Sequence, residues 1–216
     1  NDKSLEALNR NKKLIQIFEA KSKINSLRID KIGDEFNIQY VLLGGGDEYE
    51  RIEEIKATNA SYILPINFPD AYDIEDVYSA NILQLSDMRE WNQRPSNLSQ
   101  FEENGIQFAI TTEGLKSPNN LKTNIKKAID HGLSKSKALE ALTSIPAKLI
   151  GRDDVLGYLK KGYLANFLIT SGELFEDNTI IHENWVKGNR NIIKSMNIKD
   201  IRGKYNLTIN KMVVFN

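Results

Sequence analysis

The chain has 216 residues, 40% of them hydrophobic and 27% charged, with no cysteine and two histidines. This composition fits a packed globular chain and excludes collagenous, disordered and disulfide-dense scaffolds, a thiolate nucleophile and a Cys-ligated zinc centre. Lys+Arg and Asp+Glu are both 29, giving a formal net charge of +0, so neither nucleic acid nor an anionic membrane is an expected partner.

The start at Asn1, without Met and within a helical pattern, reads as a fragment or processed piece, and it carries no compartment signal. Leu14-Ile15-Gln16-Ile17-Phe18 is a short β-type run, followed by Ile24, Leu27, Ile32 and Phe36 at helical spacing. Residues 38–43 form a second strand, broken by Gly44-Gly45-Gly46, and a helix through Tyr49, Ile52 and Ile55 ends near Asn59. Residues 61–66 form a third strand. An irregular stretch follows, with helical pieces at 85–91 and 97–104, where Met88, Trp91 and Phe101 read as packing. Residues 106–111 form a fourth strand, and helices cover 119–131 and 135–142. No apolar run approaches the roughly 18 residues of a membrane span.

Strands that alternate with helices pair in parallel through right-handed crossovers, and strands apolar almost throughout are covered on both faces. A doubly wound sheet and half of a (β/α)₈ barrel both satisfy this pattern. A whole barrel, at roughly 250 residues, needs more chain. After Gly151 the pattern changes to short β-type runs at 163–170, 179–186, 191–194, 204–209 and 212–215, with a hairpin turn in Trp185–Arg190. The expected division is therefore 1–150 and 151–216.

Ala138-Leu139-Glu140-Ala141-Leu142-Thr143-Ser144-Ile145-Pro146-Ala147-Lys148-Leu149-Ile150-Gly151 resembles the helix and "T-x-N-P-A-K-x-L-G" segment that closes metal-dependent amidohydrolases. Gly157-Tyr158-Leu159-Lys160-Lys161-Gly162-Tyr163-Leu164-Ala165-Asn166-Phe167 is similar to the "G-x-L-x-x-G-x-x-A-D" segment that follows, with Asn166 in place of Asp. Trp185–Arg190 resembles a later strand of the same family. Residues 44–52 and 106–114 are most similar to the imidazolonepropionase-like branch. The resemblance implies an α/β fold: half of a (β/α)₈ TIM-like barrel, strands five to eight, followed by part of a small β-sandwich.

In that family one or two divalent metals (Zn, Mn or Mg) activate water, and an acid after strand eight moves the proton. The resemblance puts Glu19 in the strand-five histidine slot, Gly44, Gly45 and Gly46 in the strand-six slot, and Glu113 in the strand-eight acid slot. Glu19 reads as a metal ligand and Glu113 as the catalytic acid, or both read as solvated acids at a degenerate barrel mouth. Gly44-Gly45-Gly46 reads as an anion-cradling ligand loop, or as a tight turn. Residues 67–73 fall where barrel enzymes carry substrate loops, and His131 and His182 lie outside the site.

With the ligands of strands one and four absent, no metal is expected in this chain. The expected function is that of an amidohydrolase-like fragment whose parent reaction is hydrolysis of C–N bonds, inactive alone. The rival readings are a non-catalytic binding or assembly module, and a hydrolase completed by a partner or by the missing N-terminal half. A homodimer through open barrel edges, with Ile15, Ile17, Phe108 and Ile110 in the interface, is the expected assembly.

Overall fold

The computed structural model describes residues 2–196 and 202–203. Helix α1, Lys3–Asn11, is capped by Asp2, whose carboxylate accepts the Ser4 N–H at 2.8 Å, and it buries no residue. Strand β1, Ile17–Glu19, leads to α2, Lys23–Phe36, which starts at a Ser22 N-cap and ends at Asn37 with φ 54°. Asn tolerates that left-handed stop better than a branched residue does. Strand β2, Val41–Leu43, is followed by a 3₁₀ turn, Glu48–Arg51, and α3, Ile52–Ala57. Strand β3, Ser61–Pro65, precedes α4, Val77–Ile82, and α5, Leu85–Gln93. A 3₁₀ turn, Arg94–Ser96, then gives way to α6, Asn97–Glu103. Strand β4, Phe108–Thr111, is followed by α7, Asn120–Asp130, α8, Lys135–Leu142, and α9, Ser144–Leu149.

The first four strands form one parallel sheet in the order β1-β2-β3-β4. Its register aligns Phe18, Leu42, Tyr62 and Phe108 in one row and Glu19, Leu43, Ile63 and Ala109 in the next. Adjacent rows face opposite sides of a sheet. The first row meets the helices: Tyr62 stands edge-on to Phe101 of α6 at 5.1 Å, and Phe101 stands edge-on to Phe108 at 5.8 Å. Leu42, Tyr62, Phe101 and Phe108 are wholly buried, and burial pushes the Tyr62 phenol up to about 12. In the second row Leu43 and Ile63 are only half-buried and Glu19 is exposed.

A second, antiparallel sheet holds β5, Phe167–Thr170, β6, Ile181–Val186, and β7, Asn189–Ile192. The β6–β7 turn is Lys187-Gly188, both at positive φ, and Asn166 Oδ1 accepts the Lys187 N–H at 2.7 Å. That bond needs only an acceptor oxygen, which Asn supplies as well as Asp. The segment before β6 ties the two sheets together. Phe175 enters the main core, Lys122 donates to the Glu176 and Thr179 carbonyls, and Lys135 pairs with Glu173 and Glu176.

Several boundaries differ from the sequence expectation. Strand β1 begins at Ile17 rather than Leu14, because its β2 partner offers only Val41–Leu43, and Leu14 and Ile15 are left exposed. The helix expected after Gly46 opens as a 3₁₀ turn, α1 occupies the helical pattern at the start, and α4 and α9 are helices beyond the sequence expectation. The runs at 204–209 and 212–215 lie outside the described residues. Phe108 is turned into the helical layer, so it adds nothing to an exposed β4 edge.

Candidate functional site

Parallel strands flanked by helices place their loops at the carboxyl ends, where ligands gather in such folds. Glu19 closes β1 at that end. It is exposed, and its carboxylate lies 2.6 Å from Lys21 Nζ. The bond to Glu19 holds the Lys21 ammonium above its usual range, with a lesser contribution from the charge of Glu113. Glu113 lies past the same end of the parallel sheet, two residues after β4, with its backbone N–H on Thr111 Oγ1 at 3.2 Å. The two acids proposed from sequence do share this end, and both face solvent.

Gly44-Gly45-Gly46 follows β2 at the same end. The Gly45 N–H donates to Glu48 Oε1 at 2.6 Å, and the Gly46 N–H donates to Glu48 Oε2 at 3.0 Å. Asn97, the first residue of α6, donates its Nδ2–H to the same Oε2 at 2.9 Å and accepts the Tyr49 N–H on Oδ1 at 2.8 Å. Glu48 is fully buried. Burial holds its carboxyl above the ordinary range, and hydrogen bonds from Gly45, its own backbone N–H and Asn97 offset only part of that rise. The amides of the glycine loop are thus engaged by the chain's own carboxylate.

Charged groups around this loop are paired in the same local manner. Arg94 donates to the Gly45 carbonyl at 2.5 Å and to Glu90. Lys23 bridges Asp47 at 3.3 Å and Glu50 at 2.9 Å, while Asp47 also accepts the Lys23 N–H at 2.8 Å. Next to it, past the ends of β3 and β4, lies a cleft of about 250 Å³ whose lining includes Asn67, Asp70, Arg94, Lys116 and Asn124. Lys116 pairs with Asp70 across it, and Asn124 Nδ2 donates to the Ile66 carbonyl at 2.6 Å.

The other residues singled out from sequence lie elsewhere. His131 Nδ1 is 2.7 Å from the Lys127 carbonyl at the end of α7, and His182 Nδ1 is 3.0 Å from the Lys194 carbonyl in the small sheet. Phe101 is core, whereas Met88 is exposed and Trp91 lies under Lys127 Nζ at 5.6 Å. Sequence reasoning passed over Glu48, Arg94 and Asn97 as site residues. An acid two positions after a glycine run was the available signal for Glu48. Arg94 and Asn97 are almost fifty residues away in sequence and gave none.

A divalent metal needs several oxygen or nitrogen lone pairs converging on one point. Among the described residues no group of three His, Cys, Asp or Glu side chains is arranged to hold one. Glu19 is bound to Lys21, and the loop after β2 presents N–H donors, whose dipoles repel a cation. The described residues do not by themselves fit a metal.

The model of the amidohydrolase family matches residues 42–199. No curated protein is significantly similar to the chain in sequence. Among solved structures, an amidohydrolase from Thermotoga maritima MSB8 is 17% identical, with a TM-score of 0.69 over 87% of this chain and 45% of that one. A prolidase complexed with N-methylphosphonate-L-proline is 12% identical, with a TM-score of 0.59 over 87% of this chain and 46% of that one. The likeness is one of fold, and the chain spans about half the length of these structures.

Proposed function

Because the chain belongs to the amidohydrolase family, we propose that it is the C-terminal half of such a protein: strands five to eight of a (β/α)₈ barrel, in residues 1–150, and part of the companion β-sandwich, in 151–216. The parent reaction is metal-dependent hydrolysis of a C–N bond in an amide or cyclic amide, and this chain alone does not perform it. Residues 44–52 and 106–114 favour the imidazolonepropionase-like branch. One observation carries the reading. At the strand ends, where the family collects metal ligands, the carboxylate of Glu48 is held by backbone and side-chain N–H groups, and that of Glu19 by a lysine.

A half barrel that has given up its metal is a scaffold. Its two edge strands, β1 and β4, and the half-buried row of Leu43 and Ile63 support completion by another unit, either an N-terminal half or a second copy. Elemental analysis of the purified protein tests the functional reading. We expect no stoichiometric Zn, Mn or Mg and no turnover of amide or cyclic-amide substrates. Stoichiometric metal lost in both Glu19→Ala and Glu113→Ala would overturn it.

A further inference from the structure

Glu48 is a buried carboxylate with no ion pair to Lys or Arg among the described residues. Its charge is met by three N–H donors instead, from Gly45, Gly46 and Asn97. Backbone amides converging on an anion form the kind of concave nest that binds phosphate or carboxylate ligands. Here the surroundings are shaped to the anion. A Cβ on Gly44 would lie 2.5 Å from Glu48 Oε1, so only glycine leaves room for the carboxylate.

The donors are also held in orientation from outside. Carbonyl and N–H point in opposite directions across a trans peptide. Arg94, braced by Glu90, holds the Gly45 carbonyl on one side, and the Gly46 N–H of the same peptide therefore faces Glu48. Asn97 cannot turn its amide without losing the Tyr49 N–H from Oδ1, so its Nδ2 stays aimed at the carboxylate.

We infer that the loop after β2 is an oxyanion receptor filled in cis by Glu48, with Arg94 and Asn97 as its positioning residues. The receptor's ligand class is a small carboxylate, and deleting the tethered one opens it to a free one. This is a statement about the loop rather than about the missing activity, so it can fail while the chain is inactive, or hold while a metal is found elsewhere.

The test is chemical rescue of Glu48→Ala, followed by thermal unfolding in sodium formate against sodium chloride at matched ionic strength. The variant should melt well below the parent protein. Formate should recover about half of the loss in a saturable manner, as expected for a ligand that binds only the folded state. The parent protein should not respond. Glu48→Gln should stay destabilised in both salts, because its NH₂ must face one of the three donors. A Glu48→Gln variant as stable as the parent, or a formate response no larger than chloride's, would overturn the inference. So would a Zn- or Mn-induced rise in melting temperature that disappears in Glu48→Ala. Should Glu48→Ala fail to fold, hydrogen exchange of the Gly45 and Gly46 amides in the parent protein decides. Protection is expected, and exchange at the rate of a free loop would refute the receptor.

Discussion

Among the described residues two carboxylates are removed from solvent, and they are stabilised differently. Glu48 has only N–H donors, whereas Glu183 in β6 accepts from the Arg190 guanidinium and from Trp185 Nε1 at 2.8 Å. The Arg190 bond, then that of Trp185, holds the Glu183 carboxyl below the usual carboxylate range. A depressed folded value means that the unfolded state takes up the proton first as pH falls. The stabilisation from Glu183 is thus complete above roughly pH 4.3 and is lost as pH falls through the lowered folded value. We expect Glu183→Gln to melt earlier than the parent at pH 7, with the gap closing below pH ~4. A gap that stays constant down to acid unfolding would contradict this. In the main core, Phe101 joins Tyr62 and Phe108 by edge-on contacts and is wholly buried. Phe101→Ala should cost about 3–5 kcal/mol in urea unfolding, from lost transfer energy and the cavity left behind.

At the scale of elements, the glycine loop after β2, the 3₁₀ turn at Glu48 and Asn97 of α6 form a single hydrogen-bonded unit. Gly45 has no space for a side chain, because a Cβ there would run into the Lys21 carbonyl, which is backbone and cannot swing away. Gly45→Ala should therefore destabilise the fold by about 1–3 kcal/mol, the usual cost of forcing extra carbon into a packed place. Gly162, which unlike Gly45 has positive φ but meets nothing within 4 Å, provides the comparison. Gly162→Ala should cost only the conformational strain, about 1 kcal/mol. Equal losses for the two variants in denaturant titrations would mean that packing at Gly45 is not the reason for its glycine.

At the scale of the whole molecule, the open question is what meets the β1 side of the sheet. Leu14, Ile15, Ile17 and Phe18 are 64%, 50%, 55% and 45% exposed, an apolar edge of a kind that folded chains seldom leave uncovered. With Phe108 inside the helical layer, the contact on the far side falls to the β4 backbone and to half-buried Ile110. The 216-residue chain should therefore scatter light as a dimer at micromolar concentration, and Ile17→Lys should shift it toward the monomer. A compact monomer for the parent chain would show that the edge needs no second copy.

The alternation of strands and helices, their parallel order and the family were legible in the sequence, because period and turn residues are local and the segment from Ala138 to Gly151 is distinctive. Glu19 and Glu113 were readable through the resemblance alone, which put them in the strand-five and strand-eight slots. What the glycine loop does was not readable. Its donors come from Gly45 and Gly46, its third from Asn97, and its brace from Arg94, residues brought together only when α6 packs across β3 and β4. Phe108 shows the same limit from the other side. Alternation says that it faces opposite Ala109, but only the helices packed on the sheet decide which of those faces is core.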